Sequence, residues 1–230
     1  MKILAVDTAT TGCSVALTDG EHLLSEINLV STQTHSRHLA EMIGEACRLA
    51  ERAVGGMDAY AVVKGPGSFT GLRIGVSTVK GLAEAAGRPI IGISALQTLA
   101  EQAAASTPLV CPLIDARRGE VYFSTYRIID GVLAEWHHED VLRPDQALHK
   151  IDAPCTFVGN GAGLYRSIIR DNLGESAYFS HSSAHFIRAS TVARLAWKKL
   201  ANGDSDDLTH FVPAYVRKSD AQISRRSRYS

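Results

Sequence analysis

The stretch ILAVDTATTGCSVALTDG, residues 3–20, reads as a strand, a terminal Asp, a polar turn, a second strand and an Asp-Gly hairpin. Its apolar run Ile3–Val6 stops at Asp7 and resumes at Ser14–Leu17, and Leu23–Leu29 follows the hairpin, so a three-strand meander is predicted. The stretch CPLIDARRGEVYFSTYRIIDG, residues 111–131, repeats that order. There Leu109–Ile114 ends at Asp115, Val121–Ile129 follows a turn at Gly119, and Val132–His138 follows Asp130-Gly131. Such a repeat implies two related α/β halves facing each other across a cleft, with Asp7 and Asp115 at the strand ends that border it.

The segments outside the meanders agree with that plan. Between residues 35 and 54, Leu39, Met42, Ile43, Ala46, Leu49, Ala50 and Ala53 recur at three-and-four spacing. This predicts an amphipathic helix, capped by Thr34 or Ser36 and closed by Gly55-Gly56. A buried strand, 59–63, then feeds the loop Lys64-Gly65-Pro66-Gly67-Ser68-Phe69-Thr70-Gly71 and a helix from 72 to 86, with a further strand over 89–93. The second half is shorter in its elements: a loop around Pro144 and Pro154, a strand over 155–158, a Gly-rich entry into a helix near 164–170, and a last helix over 191–200. We therefore expect one domain over residues 1–107, a reduced second domain over 108–216, and a basic, disordered tail over 217–230 whose cations are solvated.

Composition narrows the function. The chain has 230 residues, with 24 Lys plus Arg against 24 Asp plus Glu, and 45% of it is apolar, which suits a folded globular protein. A protein that grips RNA or DNA alone usually carries a basic excess, so this balance argues against autonomous nucleic-acid binding. No apolar run approaches the roughly 18 residues of a membrane helix. The start has no secretory pattern, and Cys13, Cys47, Cys111 and Cys155 are scattered without a C-x-x-C pair, so a cytoplasmic protein with reduced thiols is expected.

The chemistry-bearing candidates are few. Gly65, Gly67 and Gly71 lie between a strand and a helix, where free N–H groups and the helix dipole favour an anion, yet they match neither a Walker loop nor the dinucleotide fingerprint. The alternative is close packing, in which Gly71 and Gly75, beside Ser77 and Thr78, give this helix a narrow face that lets another helix approach. Asp7 with Thr8, Thr10 and Thr11 suits a hydrated magnesium and a phosphate, the alternative being a capped turn with exposed hydroxyls, so Asp7, Gly67 and Ser68 are the phosphate candidates. In the second half Arg117 and Arg118 replace the hydroxyls, and either could meet an anion, Glu120 or a partner's carboxylate. The spacings His35/His38, His137/His138 and His181/His185 lack the companions of a metal site, and no G-x-S-x-G elbow is present.

Four blocks resemble the bacterial TsaB (YeaZ) family: ILAVDTATTGCSVAL at the start, KGPGSFTGLRIGVSTVKGLA over 64–83, IDARRGEVYFSTYR over 114–127 and PAYVRKSDA from Pro213. The resemblance implies an actin-like ATPase fold (ASKHA, of the Hsp70/hexokinase type) made of two ribonuclease-H-like halves, the second reduced. It also implies an accessory, non-catalytic subunit in the formation of N6-threonylcarbamoyladenosine beside the anticodon of tRNAs reading A-starting codons. The expected partners are TsaD, as a heterodimer, and TsaE, with a homodimer when TsaD is absent, tRNA met only through the complex, and no membrane contact.

Where the catalytic paralogue TsaD is expected to carry two metal-binding histidines, this chain has Ala95 and Leu99. No catalytic residue, metal or cofactor of its own is therefore expected, and ATP or ADP only at the junction with partner subunits. Leu39, Met42 and Ile43 on one helix, with Gly71, Gly75 and Thr78 on the next, are the expected interface residues. A second reading from another class is an ATP-binding phosphotransferase or ATPase of the actin-like fold, using Asp7 and the Gly67 loop. A metallopeptidase lacks ligands.

Overall fold

The computed structural model describes residues 1–30, 37–103, 105 and 107–217. Strands β1 (Lys2–Asp7), β2 (Gly12–Asp19) and β3 (His22–Val30) form the expected antiparallel meander. β4 (Ala59–Gly65) joins β1 in parallel and β5 (Ile90–Ser94) joins β4, giving the order β3-β2-β1-β4-β5. Between Lys2 and Asp7 the residues of β1 are all apolar because both of its faces are buried: Leu4 and Val6 face one core, Ile3 and Ala5 the other.

Two helices cover the outer face of this sheet. α1 runs over Leu39–Leu49, shorter than the predicted 35–54. It stops where Glu51 takes a left-handed φ of 54°, and Val54–Gly56 is a separate 3-10 turn. The predicted caps Thr34 and Ser36 lie outside the described residues. α2 spans Phe69–Ala86, three residues longer at its start than predicted because Ser68 Oγ caps it by accepting from the Gly71 N–H at 3.3 Å. Gly87 closes it at φ 61°, a conformation that favours glycine.

The second sheet, β6 (Leu109–Arg117), β7 (Glu120–Ile129), β8 (Val132–Leu142), β9 (Cys155–Val158) and β10 (Ala177–Phe179), has the order β10-β9-β6-β7-β8. That is the first order again, strand for strand, with β6 in the place of β1. The reduction lies in length: β9 and β10 have 4 and 3 residues where β4 and β5 have 7 and 5. The counterpart of α1 is a five-residue helix, α4 (Pro144–Leu148), where a loop was expected. Pro144 opens it at the first helical position, where the missing N–H is not needed. The counterpart of α2 is broken at Tyr165 into α5 (Asn160–Leu164) and α6 (Arg166–Leu173).

α3 (Ala95–Gln102) and α7 (Ala189–Ala201) lie between the two sheets, and they are exchanged. α7, at the end of the second half, packs on β1 and β2, whereas α3, at the end of the first, packs on β6 and β7. One core results, in which Ile3, Ala61 and Ile91 of the first sheet share α3, α7 and the side chains of Val110, Ile114 and Val158. The last helix of the 108–216 span thus belongs spatially to the first sheet.

Beyond α7 the chain forms a strap. The Asp206 N–H donates to Ile90 O at 3.1 Å, and its carboxylate accepts from the Gly92 N–H at 2.8 Å and from Lys64 Nζ at 3.0 Å. Phe211 is buried in the outer core of the first sheet, and the Ala214 N–H donates to Lys64 O at 2.7 Å. Arg217, expected at the head of a disordered tail, is instead held on the second half, donating to Ala116 O at 3.1 Å and pairing with Glu120 at 3.0 Å. Residues 218–230 lie outside the described residues. Among the described residues no helix is long and apolar enough to cross a membrane.

Candidate functional site

The repeat places two Asp turns at the ends of β1 and β6. Asp7 Oδ1 accepts from the Ala9 N–H at 2.9 Å while its Oδ2 has no partner, and full burial pushes its pKa up to about 7 against the pull of the Ala9 and Thr8 N–H groups. The glycine-rich loop lies directly on this turn. The Ser68 N–H donates to Ala9 O at 2.7 Å, and the Thr8 hydroxyl donates to Gly71 O at 2.8 Å. A methyl group at Gly67 would overlap Ala9 O, and one at Gly75 would overlap the Thr8 hydroxyl.

Of the two sequence readings of this loop, these contacts display packing, but against the β1–β2 turn and not against the helix that was expected. Ser68 N–H and Gly71 N–H, two donors that could otherwise meet a phosphate, are spent on Ala9 O and Ser68 Oγ. From the other side, the Ala214 carbonyl of the strap fills the notch over Gly65, and Tyr215 stacks on Phe69 with ring centroids 4.8 Å apart.

On the second half, Asp115 Oδ1 accepts from the Arg117 N–H at 2.9 Å, and its own N–H donates to Asn160 Oδ1 at 3.1 Å. Arg117 and Arg118 both take left-handed φ, 64° and 57°, in the tight turn to β7. Gly159 and Gly161, after β9, press against the Leu113 backbone, and the Gly159 N–H donates to His185 Nδ1 at 3.1 Å.

The six expected interface residues do not share one surface. Leu39, Met42 and Ile43 point into the core between α1 and the sheet, and Gly71 and Gly75 face Thr8. Thr78 is half-buried. The amphipathic spacing that singled out Leu39, Met42 and Ile43 marks the side of a helix that its own sheet covers. The exposed face of these helices instead carries the small residues Ala40 and Gly44 on α1 and Ser77 and Gly81 on α2, flanked by charged ones, Glu41, Arg48, Arg73 and Glu84. Ala95 and Leu99, at the expected paralogue histidine positions, lie on α3 in the shared core.

The four cysteines are buried free thiols, and burial pushes Cys13 up to about 12. Among the described residues no three His, Cys, Asp or Glu side chains converge to hold a metal ion. His35 lies outside the described residues. The residues that sequence reasoning missed are those of the strap, Asp206, Phe211 and Tyr215; only the PAYVR block pointed toward them.

Comparison with known proteins fits this geometry. The family model described as TsaD, tRNA N6-adenosine threonylcarbamoyltransferase, matches residues 23–225. The tRNA threonylcarbamoyladenosine biosynthesis protein TsaB of Bacillus subtilis (strain 168) is 31% identical over 225 residues, which cover 96% of both chains. A Pseudomonas aeruginosa protein with similarity to peptidase YEAZ has a crystal structure that superposes with a TM-score of 0.82 at 31% identity, covering 94% of this chain and 99% of that one. Component A of the (R)-2-hydroxyglutaryl-CoA dehydratase of Acidaminococcus fermentans, at 12% identity, a TM-score of 0.53, and coverage of 87% of this chain and 99% of that one, shares the fold alone. The two halves are those of the actin-like ATPase fold.

Proposed function

Because this chain belongs to the TsaB (YeaZ) family, we propose that it is an accessory, non-catalytic subunit required to form N6-threonylcarbamoyladenosine beside the anticodon of tRNAs reading A-starting codons. It acts by binding and activating TsaD together with TsaE. The observation that carries this reading is the state of Ala95 and Leu99: at the positions expected to hold the paralogue's metal ligands stand two aliphatic side chains, both sealed in the core between the sheets. Neither can coordinate a metal.

The nucleotide that the fold family implies does not fit the cleft as it is built. Asp7 Oδ2 is a single open acceptor, but the loop meant to cradle phosphates is closed on the β1–β2 turn through Ser68, Gly71 and Thr8. The second turn carries Arg117 and Arg118 in place of hydroxyls. ATP or ADP then belongs to the junction with partner subunits.

The contact surface is the outer face of α1 and α2. Ala40, Gly44, Ser77 and Gly81 are exposed, and nothing lies within 4 Å of a methyl group built at Gly44 or Gly81, so a partner's helices can approach the backbone closely. The same surface serves the homodimer when TsaD is absent. Gly44→Arg and Gly81→Arg test it by copurification with TsaD. Loss of TsaD with an unchanged melting temperature is expected, and full capture with full tRNA modification rejects the surface.

A further inference from the structure

α2 carries the charges of its outer face against its own dipole. A helix favours acids in its first turn and bases in its last, because its free N–H groups lie at one end and its free carbonyls at the other. α1 follows this order, with Glu41 in its first turn and Arg48 in its last. On the outer face of α2 the order is reversed. The Arg73 guanidinium lies 3.9 Å from the centroid of the Phe69 ring, over the first turn, and its Nε donates to the Tyr215 hydroxyl at 3.1 Å. Glu84 stands in the last turn, which ends at Ala86. Lys80 donates to the strap carbonyls of Thr209 and Phe211, and Arg88 lies past the closing Gly87, so neither belongs to this face.

The reversal coincides with a symmetric spacing. The exposed stripe of α2 is Thr70, Arg73, Ser77, Gly81 and Glu84, separated by three, four, four and three residues, so it reads alike in both directions about Ser77. Its middle is small, with nothing within 4 Å of a methyl group built at Gly81. A helix laid antiparallel across Ser77 brings its own position 84 opposite position 70, about 10 Å from the crossing at about 1.5 Å per residue. Stacking on Phe69 carries the Arg73 guanidinium back to that level. A second α2 laid this way sets its Glu84 within about one turn of Arg73, and the same holds in the other direction.

We propose that α2 pairs antiparallel with α2 of a second copy of this chain, crossing at Ser77, with Arg73 of each copy facing Glu84 of the other. The occupant is a second copy because the charge pattern is its own complement, the condition that a two-fold interface imposes. Charges that disfavour the isolated helix become favourable in the pair, and the small middle lets the two backbones come close. Such pairs fix orientation and register more than affinity. The inference rests on the preceding reading that this face is a contact surface, and adds which residues orient what docks there.

Sedimentation velocity of the full chain at low salt, over a concentration series, tests it. Arg73→Glu and Glu84→Arg, each alone, turn both pairs of the dimer into like charges and should raise the dimer Kd about tenfold. Mixing the two variants should restore dimers of near-parent affinity, because every pair then joins an acid to a base. The double variant, Arg73→Glu with Glu84→Arg, should do the same, and a folding defect cannot produce either rescue. Lys150→Glu, on the second half, should leave Kd within about twofold. Single variants that dimerise like the parent, a mixture that stays monomeric, or a parent that is monomeric at the highest concentration overturn the proposal. If Gly81→Arg dissociates the dimer while the charge variants do not, the contact face stands and this pairing falls. If Gly81→Arg leaves the dimer intact, the face itself is wrong, and the pairing with it.

Discussion

Asp7 and Asp115 make the same hydrogen bond in the two halves, each accepting from the N–H two residues on at 2.9 Å, yet Asp7 is fully buried and the Asp115 side chain is 18% exposed. The repeat has kept the backbone of the turn and changed its surroundings. In the first half the glycine-rich loop and α2 bond to the turn through Ala9 and Thr8; in the second, the turn itself is made of the exposed Arg117 and Arg118.

Asp7 should therefore weaken the fold as it ionises. Its pKa is raised from 3.8 to about 7, so across that window the native state keeps a proton that the unfolded chain has released, and stability falls as pH rises. Asp7→Asn keeps an acceptor for the Ala9 N–H and removes the charge. Its stability relative to the parent should be flat below pH 4, grow to pH 7, and level off at up to about 4 kcal/mol. Urea midpoints at a series of pH values measure this, and a pH-independent difference would contradict it.

The glycines of the loop should matter to the fold. Gly67→Ala forces a methyl group onto the Ala9 carbonyl, which is backbone and cannot rotate away, and a loss of about 1–3 kcal/mol is expected in thermal or urea unfolding. Gly75→Ala should behave alike through Thr8. Gly81→Ala, at an exposed helical position with open space around it, should be neutral or slightly stabilising. Substitutions such as Met42→Glu or Gly75→Arg would for the same reason report on folding and not on a partner.

The strap should behave as part of the first half. Phe211→Ala empties a buried position on the outer core and should lower stability by about 3–5 kcal/mol. Asp206→Ala removes the acceptor for the N–H of the buried Gly92 and for the partly exposed Lys64 ammonium, and should lower it by about 1–2 kcal/mol. If either variant unfolds at the parent's midpoint, the strap is not anchored as described.

Mg-ATP titrated into the isolated chain in a calorimeter should give no heat of binding. Micromolar binding would favour the phosphotransferase reading and would require the turn at Ala9 to separate from Ser68.

Much of the fold was legible because its signals are local. Apolar runs ended by Asp7 and Asp115, the three-and-four spacing of Leu39 to Ala46 and the stop at Gly87 each depend on near neighbours. What escaped depends on distant ones. Nothing in residues 189–201 says that this helix crosses to the first sheet, because amphipathicity records that a face is buried and not by what. The same blindness turned Leu39, Met42 and Ile43 into interface candidates. β10 was missed since three residues carry no period, and α4 since Pro144 reads as a turn as readily as a helix start.

Reconstitution of tRNA modification with purified TsaD and TsaE of the same source, with and without this chain, tests the central claim most directly. Formation of N6-threonylcarbamoyladenosine should require the chain, and the chain by itself should form none. Full modification in its absence, or turnover by the chain alone with a bound divalent ion, would contradict the account.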